Sequence, residues 1–372
     1  MNDKLECLKR TAIVLPSLDP DAKFRAVVEG LLNKGFEHIV IVNDGSAAEN
    51  LHWFEEAAQH ENCVVLHHEV NKGKGRALKN AFNYVAENLP EVEGVITIDG
   101  DGQHLLEDIV ACGERMLETA DGVVLGCRDF NQPGIPPRSV AGNKTTSRFF
   151  HLLFNIRLAD TQTGLRAIPA KYLRDFCQID GERFEYETNM LLNMKRMGIP
   201  FIEQPIATVY DPDDYSSHYN AVKDSIRIFK VMFKFLTTGS GFRYVISGVL
   251  SWLLDNLLYF GLMSSGVGLG LAAASASVKS QVIARVLSSV FNFNMNTFYV
   301  FRSKENYWKA MLKYYCLCVV QTFVSVVCLT GVVSALSISA PLVATIVKVV
   351  LEIVIMLLSY YIQKKWVFKG KK

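Results

Sequence analysis

The sequence predicts an α/β domain followed by an all-α membrane domain, and two observations carry this prediction. Residues 1–210 alternate short apolar runs with amphipathic segments, as the strands and helices of an α/β sheet do. Residues 240–372 hold 13 Lys and Arg against 3 Asp and Glu, whereas residues 1–239 hold 26 against 34. The net charge of +2 for all 372 residues therefore hides an acidic part joined to a basic part.

Five apolar runs are the predicted strands of the first domain. They cover residues 12–15, 38–42, 64–66, 95–98 and 123–125, and helices are predicted near 21–34, 47–59, 74–88 and 105–118. Ligands of such sheets bind beyond the carboxyl ends of the strands. The residues that follow each run are therefore the candidates for a binding site.

Two carboxylates follow the fourth run. Asp99 and Asp101 alternate with glycines, so both can leave a tight turn towards one point, and Gln103 adds a third oxygen. Hard oxygen ligands of this kind suit Mg²⁺ or Mn²⁺ bridging a diphosphate. The alternative is an Asp/Gly turn that only caps the next helix.

Three further segments follow strands or open a helix. Pro16 and Asp19 come after the first run, and Asp44 comes after the second. Gly73 and Lys74 open a predicted helix, where glycine lets the backbone approach an anion and the helix N-terminus favours it. The spacing matches neither a Walker loop nor a Rossmann fingerprint.

Together these motifs resemble the family 2 glycosyltransferases of the GT-A fold, and among them the polyprenol-phosphate sugar transferases such as dolichol-phosphate mannose synthase. The residues that carry the resemblance are 43–46, 71–75, 99–103, 126–128 and 160–166. It implies an inverting transfer from a nucleotide sugar, with a metal at Asp99, Asp101 and Gln103. The donor would be bound at Pro16, Asp19, Asp44, Gly73, Lys74 and Asp99. Leu18, Asp19 and Asn43 depart from the usual family residues, which leaves a UDP or a GDP donor open.

The acceptor side is expected to be rich in arginine. A lipid phosphate is mostly dianionic at neutral pH and needs cations more than a base. Arg128, Arg138 and Arg148 are the predicted phosphate ligands; Arg148 could instead bind anionic lipid heads. Asp101, Asp160 and Arg138 are the predicted catalytic residues; Asp160 could act as a base, orient the donor sugar or cap a turn. The resemblance also implies that Glu185, in the acidic stretch 182–187, lies near the same site.

Four apolar segments follow residue 240. They lie at about 244–263, 271–293, 314–338 and 342–362, and each is long enough to cross a bilayer. Lys and Arg flank them at both ends and between the second and third, but are missing near 264–270 and 337–341. The positive-inside rule then predicts a multi-pass protein of the cell (inner or plasma) membrane with both termini and the first domain cytosolic. A soluble helical domain would need polar faces, which these segments lack.

A helix at the membrane surface is predicted between the two domains. Lys223, Arg227, Lys230 and Lys234 alternate with apolar residues at helical spacing. The predicted domains are therefore residues 1–215, a juxtamembrane segment 216–239 and a membrane domain 240–372. An N-terminus without an apolar core, and eight cysteines without zinc spacing, agree with a cytosolic first domain.

The membrane domain repeats itself with an offset of 67 residues. Asn296 matches Gln363, and the aromatic–Val–Phe–cation ending at 299–302 matches the one at 366–369. This pattern resembles the GtrA-like family of four-helix proteins associated with moving or presenting lipid-linked sugars. Self-association through this domain is a further expectation, and no feature predicts nucleic-acid binding.

The predicted function is transfer of a sugar from a nucleotide sugar to polyprenyl phosphate at the cytosolic leaflet, for cell-envelope glycan synthesis. Two alternatives stay open from the residues alone. One is a glycosyltransferase of the same fold that uses a hydroxyl acceptor. The other is a translocase of lipid-linked sugars whose first domain only binds product.

Overall fold

The computed structural model describes residues 7–119, 121–132, 135, 137–209, 221–268, 273–335 and 341–369. The chain divides into two compact units, Met1–Phe235 and Leu236–Lys372. The predicted boundary after residue 215 lies outside the described residues.

The first unit contains one seven-stranded sheet. Its strands are β1 Thr11–Ser17, β2 His38–Asn43, β3 Cys63–His67, β4 Gly94–Thr97, β5 Val123–Arg128, β6 Arg166–Pro169 and β7 Phe201–Ile206. They lie in the order β3-β2-β1-β4-β6-β5-β7. All paired strands are parallel except β6, which runs antiparallel to both β4 and β5. The predicted α/β class is confirmed, with β6 and β7 added to the predicted strands.

Helices cover the sheet. They are α1 Ala22–Lys34, α2 Leu51–Ala57, α3 Lys74–Asn88, α4 Leu106–Thr119, α5 Pro137–Phe154, α6 Leu173–Cys177 and α7 Glu185–Met197. Ile13, Ile41 and Ile96 of the strands pack with Phe24 and Leu31 of α1 in the core. Because β1, β2 and β4 are parallel neighbours, their carboxyl ends open at one edge of the sheet.

The second unit is helical. After α8 Ala221–Thr238, most of which belongs to the first unit, come α9 Ser240–Gly268, α10 Ala273–Asn294, α11 Tyr307–Ala335 and α12 Pro341–Ile362. By length and composition, Ser240–Ser265 and Tyr307–Val332 are each apolar enough to cross a membrane. Short π-helical segments, Met295–Val300 and Gln363–Val367, continue α10 and α12.

The two copies of the internal repeat touch each other. The Asn296 amide donates to Gln363 Oε1 at 3.1 Å, so two residues matched by sequence form one buried hydrogen bond. The rings of Phe301 and Phe368, also matched, stack with centroids 5.0 Å apart. Both copies therefore end at one shared polar and aromatic contact.

Candidate active site

One cavity of about 450 Å³ lies at the carboxyl edge of the sheet. All eight residues predicted for the donor and the metal line it: Pro16, Asp19, Asp44, Gly73, Lys74, Asp99, Asp101 and Gln103. The parallel strands bring these residues together from four separate segments. Arg183 and Phe184, which the sequence did not single out, also line the cavity.

Asp44 is buried at the end of β2 and shapes the loop before α3. Its Oδ1 accepts a hydrogen bond from the backbone N–H of Lys72 at 2.9 Å, and its Oδ2 accepts one from Gly73 at 2.8 Å. Gly73 has φ near +101°, and a Cβ there would lie 2.5 Å from the carbonyl oxygen of Glu182. Only glycine therefore fits this turn.

Asp19 holds the neighbouring wall of the cavity. It adopts the left-handed region at φ near +46°, and its Oδ1 accepts from the backbone N–H of Ala47 at 2.7 Å and from the Asn50 amide at 3.0 Å. Its own N–H donates to Ser46 Oγ at 2.8 Å. Asp19 thus ties the end of β1 to the segment after β2.

Lys74 places a half-buried cation between two carboxylates. Its Nζ lies 2.7 Å from Asp99 Oδ1 and 3.2 Å from Glu187 Oε2. Burial acts to lower the pKa of Lys74, but the negative charges of Asp99 and Glu187 outweigh it and raise the pKa above its ordinary value. The ammonium therefore stays charged.

The two carboxyl groups of the acidic motif have opposite shifts. Burial acts to raise the pKa of Asp99, but Lys74 and His104 outweigh it and hold the pKa below its ordinary range. The pKa of Asp101 is raised by burial and by the charge of Asp99. Among the described residues, Asp101 accepts a hydrogen bond from the backbone N–H of Gln103 at 3.0 Å and forms no ion pair. A cation beside it would relieve the cost of its ionised form.

His104 adds an unsatisfied group to this cluster. Its Nε2 is buried, has no hydrogen-bond partner among the described residues and lies 3.7 Å from Asp99 Oδ2. Within the same residues, no group of three or more His, Cys, Asp or Glu side chains is arranged to hold a metal ion. The side-chain oxygens of Asp99, Asp101 and Gln103 are of the hard type that Mg²⁺ and Mn²⁺ prefer.

Asp160 lies outside the cavity lining and is fully buried. It accepts from Arg128 Nε at 2.7 Å and from the Gln162 backbone N–H at 2.9 Å, so it holds the Arg128 guanidinium in place. Its loop nevertheless lies against the acidic motif, because a Cβ on Gly164 would be 2.2 Å from Asp99 Oδ2. Any side chain at Gly164 would displace that carboxylate.

The other predicted acceptor residues lie on α5. Arg148 is exposed, and the Arg138 side chain lies outside the described residues. In the part of the chain that the structure describes, no hydrogen bond or ion pair joins Arg148 to Arg128 or Asp160. Of the three predicted phosphate ligands, the structure therefore describes a carboxylate partner for Arg128.

Glu187 takes the place expected for Glu185. The Glu185 carboxylate caps the start of α7, accepting from the backbone N–H of Glu182 at 3.1 Å. Glu187 reaches Lys74, and buried Arg166 donates to the Glu187 carbonyl oxygen at 3.0 Å and to that of Thr163 at 3.1 Å. Both Glu187 and Arg166 lie in motifs noted in the sequence, but only the packing of α7 against β6 reveals their partners.

Two families match separate parts of the chain. The family described as Glycosyl transferase family 2 matches residues 13–193, and the GtrA/DPMS transmembrane domain matches residues 243–368. These matches confirm the resemblance drawn from the motifs. The second match and the apolar helices together indicate a membrane protein.

Curated relatives match the first unit. A UDP-N-acetylglucosamine–dolichyl-phosphate N-acetylglucosaminyltransferase of Methanococcus voltae is 26% identical over 219 residues, which is 53% of this chain and 85% of the relative. An uncharacterized protein of Methanocaldococcus jannaschii is 26% identical over 228 residues, covering 60% of this chain and 90% of the relative.

Solved structures are also similar to this part of the chain. Mannosyl-3-phosphoglycerate synthase from Rubrobacter xylanophilus has a TM-score of 0.49 at 14% identity, over 63% of this chain and 75% of that one. Glucosyl-3-phosphoglycerate synthase from Mycobacterium tuberculosis has a TM-score of 0.46 at 15% identity, over 63% of this chain and 82% of that one.

From the two family matches it follows that this chain is a membrane glycosyltransferase that joins a family 2 glycosyl transferase domain to a GtrA/DPMS transmembrane domain.

Proposed function

We propose that the protein transfers a sugar, with inversion, from a nucleotide sugar to polyprenyl phosphate at the cytosolic leaflet, for cell-envelope glycan synthesis. The observation that carries this proposal is a cavity lined by Asp99, Asp101 and Lys74 beside the glycine-rich turn, in which Lys74 contacts Asp99. A relative whose name gives dolichyl phosphate as the acceptor supports the acceptor class.

The donor diphosphate would lie between the acidic motif and Lys74. Asp99, Asp101 and Gln103 would hold Mg²⁺ or Mn²⁺, which when bound neutralises the charge that develops on the leaving diphosphate. Lys74 adds a second fixed cation on the same side of the cavity. Pro16, Asp19 and Asp44 line the rest of the cavity and are left to contact the nucleoside.

The acceptor phosphate would be bound by arginine. Arg128 is fixed by a buried carboxylate, so its planar fork is oriented before any ligand arrives. Asp160 then acts by positioning Arg128, and a phosphate nucleophile needs no general base. Arg138 and Arg148 on α5 are the further proposed phosphate ligands.

The first unit carries a surface suited to a bilayer. Phe149 and Leu152 of α5 and Phe229 and Phe233 of α8 are exposed although apolar. The two helices meet where the ring of Phe154 packs edge-on against Phe235, with centroids 5.5 Å apart. Exposed apolar and basic residues on such helices favour the membrane interface, where a polyprenyl acceptor is found.

We also propose how the chain is divided into domains and how it crosses the membrane. We assign residues 1–215 to the catalytic domain, 216–239 to the juxtamembrane segment and 240–372 to the membrane domain. The four helices of the membrane domain cross the membrane with both termini in the cytosol, as the flanking Lys and Arg predict.

A donor and acceptor panel tests the reaction. The purified protein in nanodiscs is incubated with labelled UDP- and GDP-sugars and Mn²⁺, together with polyprenyl phosphate or with polyprenol. We expect one donor to label the phosphate lipid and none to label polyprenol. Equal labelling of polyprenol would support a hydroxyl acceptor, and no labelling with any donor would favour the translocase.

A further inference from the structure

A buried histidine lies behind the cavity without lining it. His68 follows β3 and is 6% exposed. Its Nδ1 lies 2.7 Å from Asp44 Oδ1, and its Nε2 lies 2.8 Å from the Asn80 amide nitrogen of α3. We propose that Asn80 and His68 form a relay that positions Asp44, and through Asp44 the donor-binding turn at residues 72–74.

The partners of His68 select its tautomer. An amide NH₂ group can only donate, so Nε2 of His68 accepts from Asn80 and the ring proton lies on Nδ1. The Nδ1–H group then donates to Asp44. Asn80 thus acts on Asp44 through the ring, as outer hydrogen-bond partners do for metal-binding histidines.

Asp44 depends on this donor because the other groups that hold it are backbone. Among the residues that the structure describes, three hydrogen bonds reach its carboxylate, from His68, Lys72 N–H and Gly73 N–H. Within the described residues, no Lys or Arg forms an ion pair with Asp44. Without the ring N–H, Oδ1 keeps one donor, and the carboxylate can rotate away from the turn.

Loss of the hydrogen bond from His68 to Asp44 would also affect the proposed phosphate site. Lys72 and Gly73 precede Lys74, whose Nζ contacts Asp99. A turn that is no longer fixed by both oxygens of Asp44 would place the ammonium less well, and the donor would bind more weakly. The effect on donor binding rests on the proposed function, whereas the effect on the turn does not.

Two measurements on the full chain in detergent test the relay. Backbone hydrogen exchange reports the Lys72 and Gly73 amides, and ¹⁵N-histidine spectra report the tautomer of His68, assigned by its loss in H68N. We expect Asn80→Asp, which offers an acceptor to Nε2, to move the ring proton from Nδ1 to Nε2, so that Asp44 loses its ring donor and exchange speeds up about tenfold. Asn88→Asp, the same charge change at an exposed site on α3, should leave both unchanged.

Neutral variants separate positioning from folding. His68→Ala should raise the KM for the donor about tenfold with a smaller change in kcat, and His68→Asn, whose amide can replace the Nδ1–H donor, should restore much of the loss. Unchanged exchange and KM in Asn80→Asp and His68→Ala would overturn the relay. If wild-type protein binds no nucleotide, the proposed function fails, and the exchange and tautomer results still decide the relay.

Discussion

Asp99 and Asp101 stand two residues apart, yet their carboxyl groups differ in what surrounds them. Asp99 is paired with Lys74, and its pKa is held low, whereas the pKa of Asp101 is raised by burial and by Asp99 itself. Asp101 is thus the carboxylate with most to gain from a bound cation.

Replacing Asp101 tests that difference. Asp101→Asn removes a proposed metal ligand and should lower the rate of sugar transfer at least about 100-fold. Mn²⁺ affinity, measured by electron paramagnetic resonance, should fall in parallel. Asp121→Asn is the matched control, since Asp121 is an exposed aspartate paired with Lys171. Full activity in Asp101→Asn would remove the metal role.

The residues that line the cavity could be predicted from the sequence, but the residues that hold them in place could not. Pro16, Asp44 and Asp99 follow strands, and parallel strands bring their carboxyl ends together, so their meeting could be predicted. Glu187 and His68 could not be placed in this way. Glu187 reaches Lys74 only because α7 packs beside α3. His68 is held by a hydrogen bond to Asn80, which lies on α3 twelve residues later in the chain.

At the scale of elements, the start of α3 is fastened to the turn before α7. Glu182 accepts from Arg76 Nε at 2.5 Å and from Arg76 Nη2 at 2.7 Å, and Lys79 Nζ lies 3.3 Å away. Burial acts to raise the pKa of Glu182, but Arg76 and Lys79 outweigh it and lower the pKa. Its stabilisation is therefore present above the ordinary glutamate pKa and is lost as pH falls through the lower folded value.

Glu182→Gln should reveal this pH dependence. Because Glu182 is about half exposed, solvent limits the loss to about 1 kcal/mol. The apparent Tm should fall by about 2–4 °C at pH 7, and by less at pH 4, below the ordinary glutamate pKa, where the charge of Glu182 stabilises the wild type less. Glu118→Gln, in an exposed pair with Arg115, should change Tm little at either pH. An equal fall at both pH values would contradict the assignment.

We predict that the exposed apolar face of α8 lies in the membrane. A spin label at Phe229→Cys, in a protein whose accessible cysteines are serine, should be reached by oxygen and shielded from an aqueous nickel reagent. A label at Lys230→Cys should show the opposite. Equal access to the nickel reagent at both positions in nanodiscs would mean that this face lies in water.

Two strands, β6 and β7, were not predicted from the sequence. β6 has only four residues, and its antiparallel direction depends on pairing with β4 and β5. β7 includes Glu203 and Pro205, residues of types that are uncommon in strands. The helices with strong periodicity, such as α3, matched closely because the signal is local.

At the scale of the whole molecule, charge and hydropathy divide the chain as the structure does. The acidic part holds the cavity, and the basic part holds the apolar helices. The repeat predicted that Asn296 and Gln363 are equivalent, and the structure adds that they bond to each other. The π-helical segments around them have no signal in the sequence.

The topology can be tested by labelling in intact cells. A membrane-impermeant maleimide should modify Ser265→Cys, at the end of α9 away from the flanking cations, and should not modify Lys304→Cys. Permeabilised cells should allow both to react. Labelling of Lys304→Cys from outside would reverse the proposed orientation.

The central claim is that a sugar, and not a sugar phosphate, passes to a lipid phosphate. With the active nucleotide sugar, polyprenyl phosphate and Mn²⁺, mass spectrometry identifies the lipid product and the nucleotide released. We predict one sugar on one phosphate, a nucleoside diphosphate in equal amount, and loss of both products when EDTA is added. A lipid diphosphate with release of a nucleoside monophosphate, or undiminished transfer in EDTA, would contradict the account.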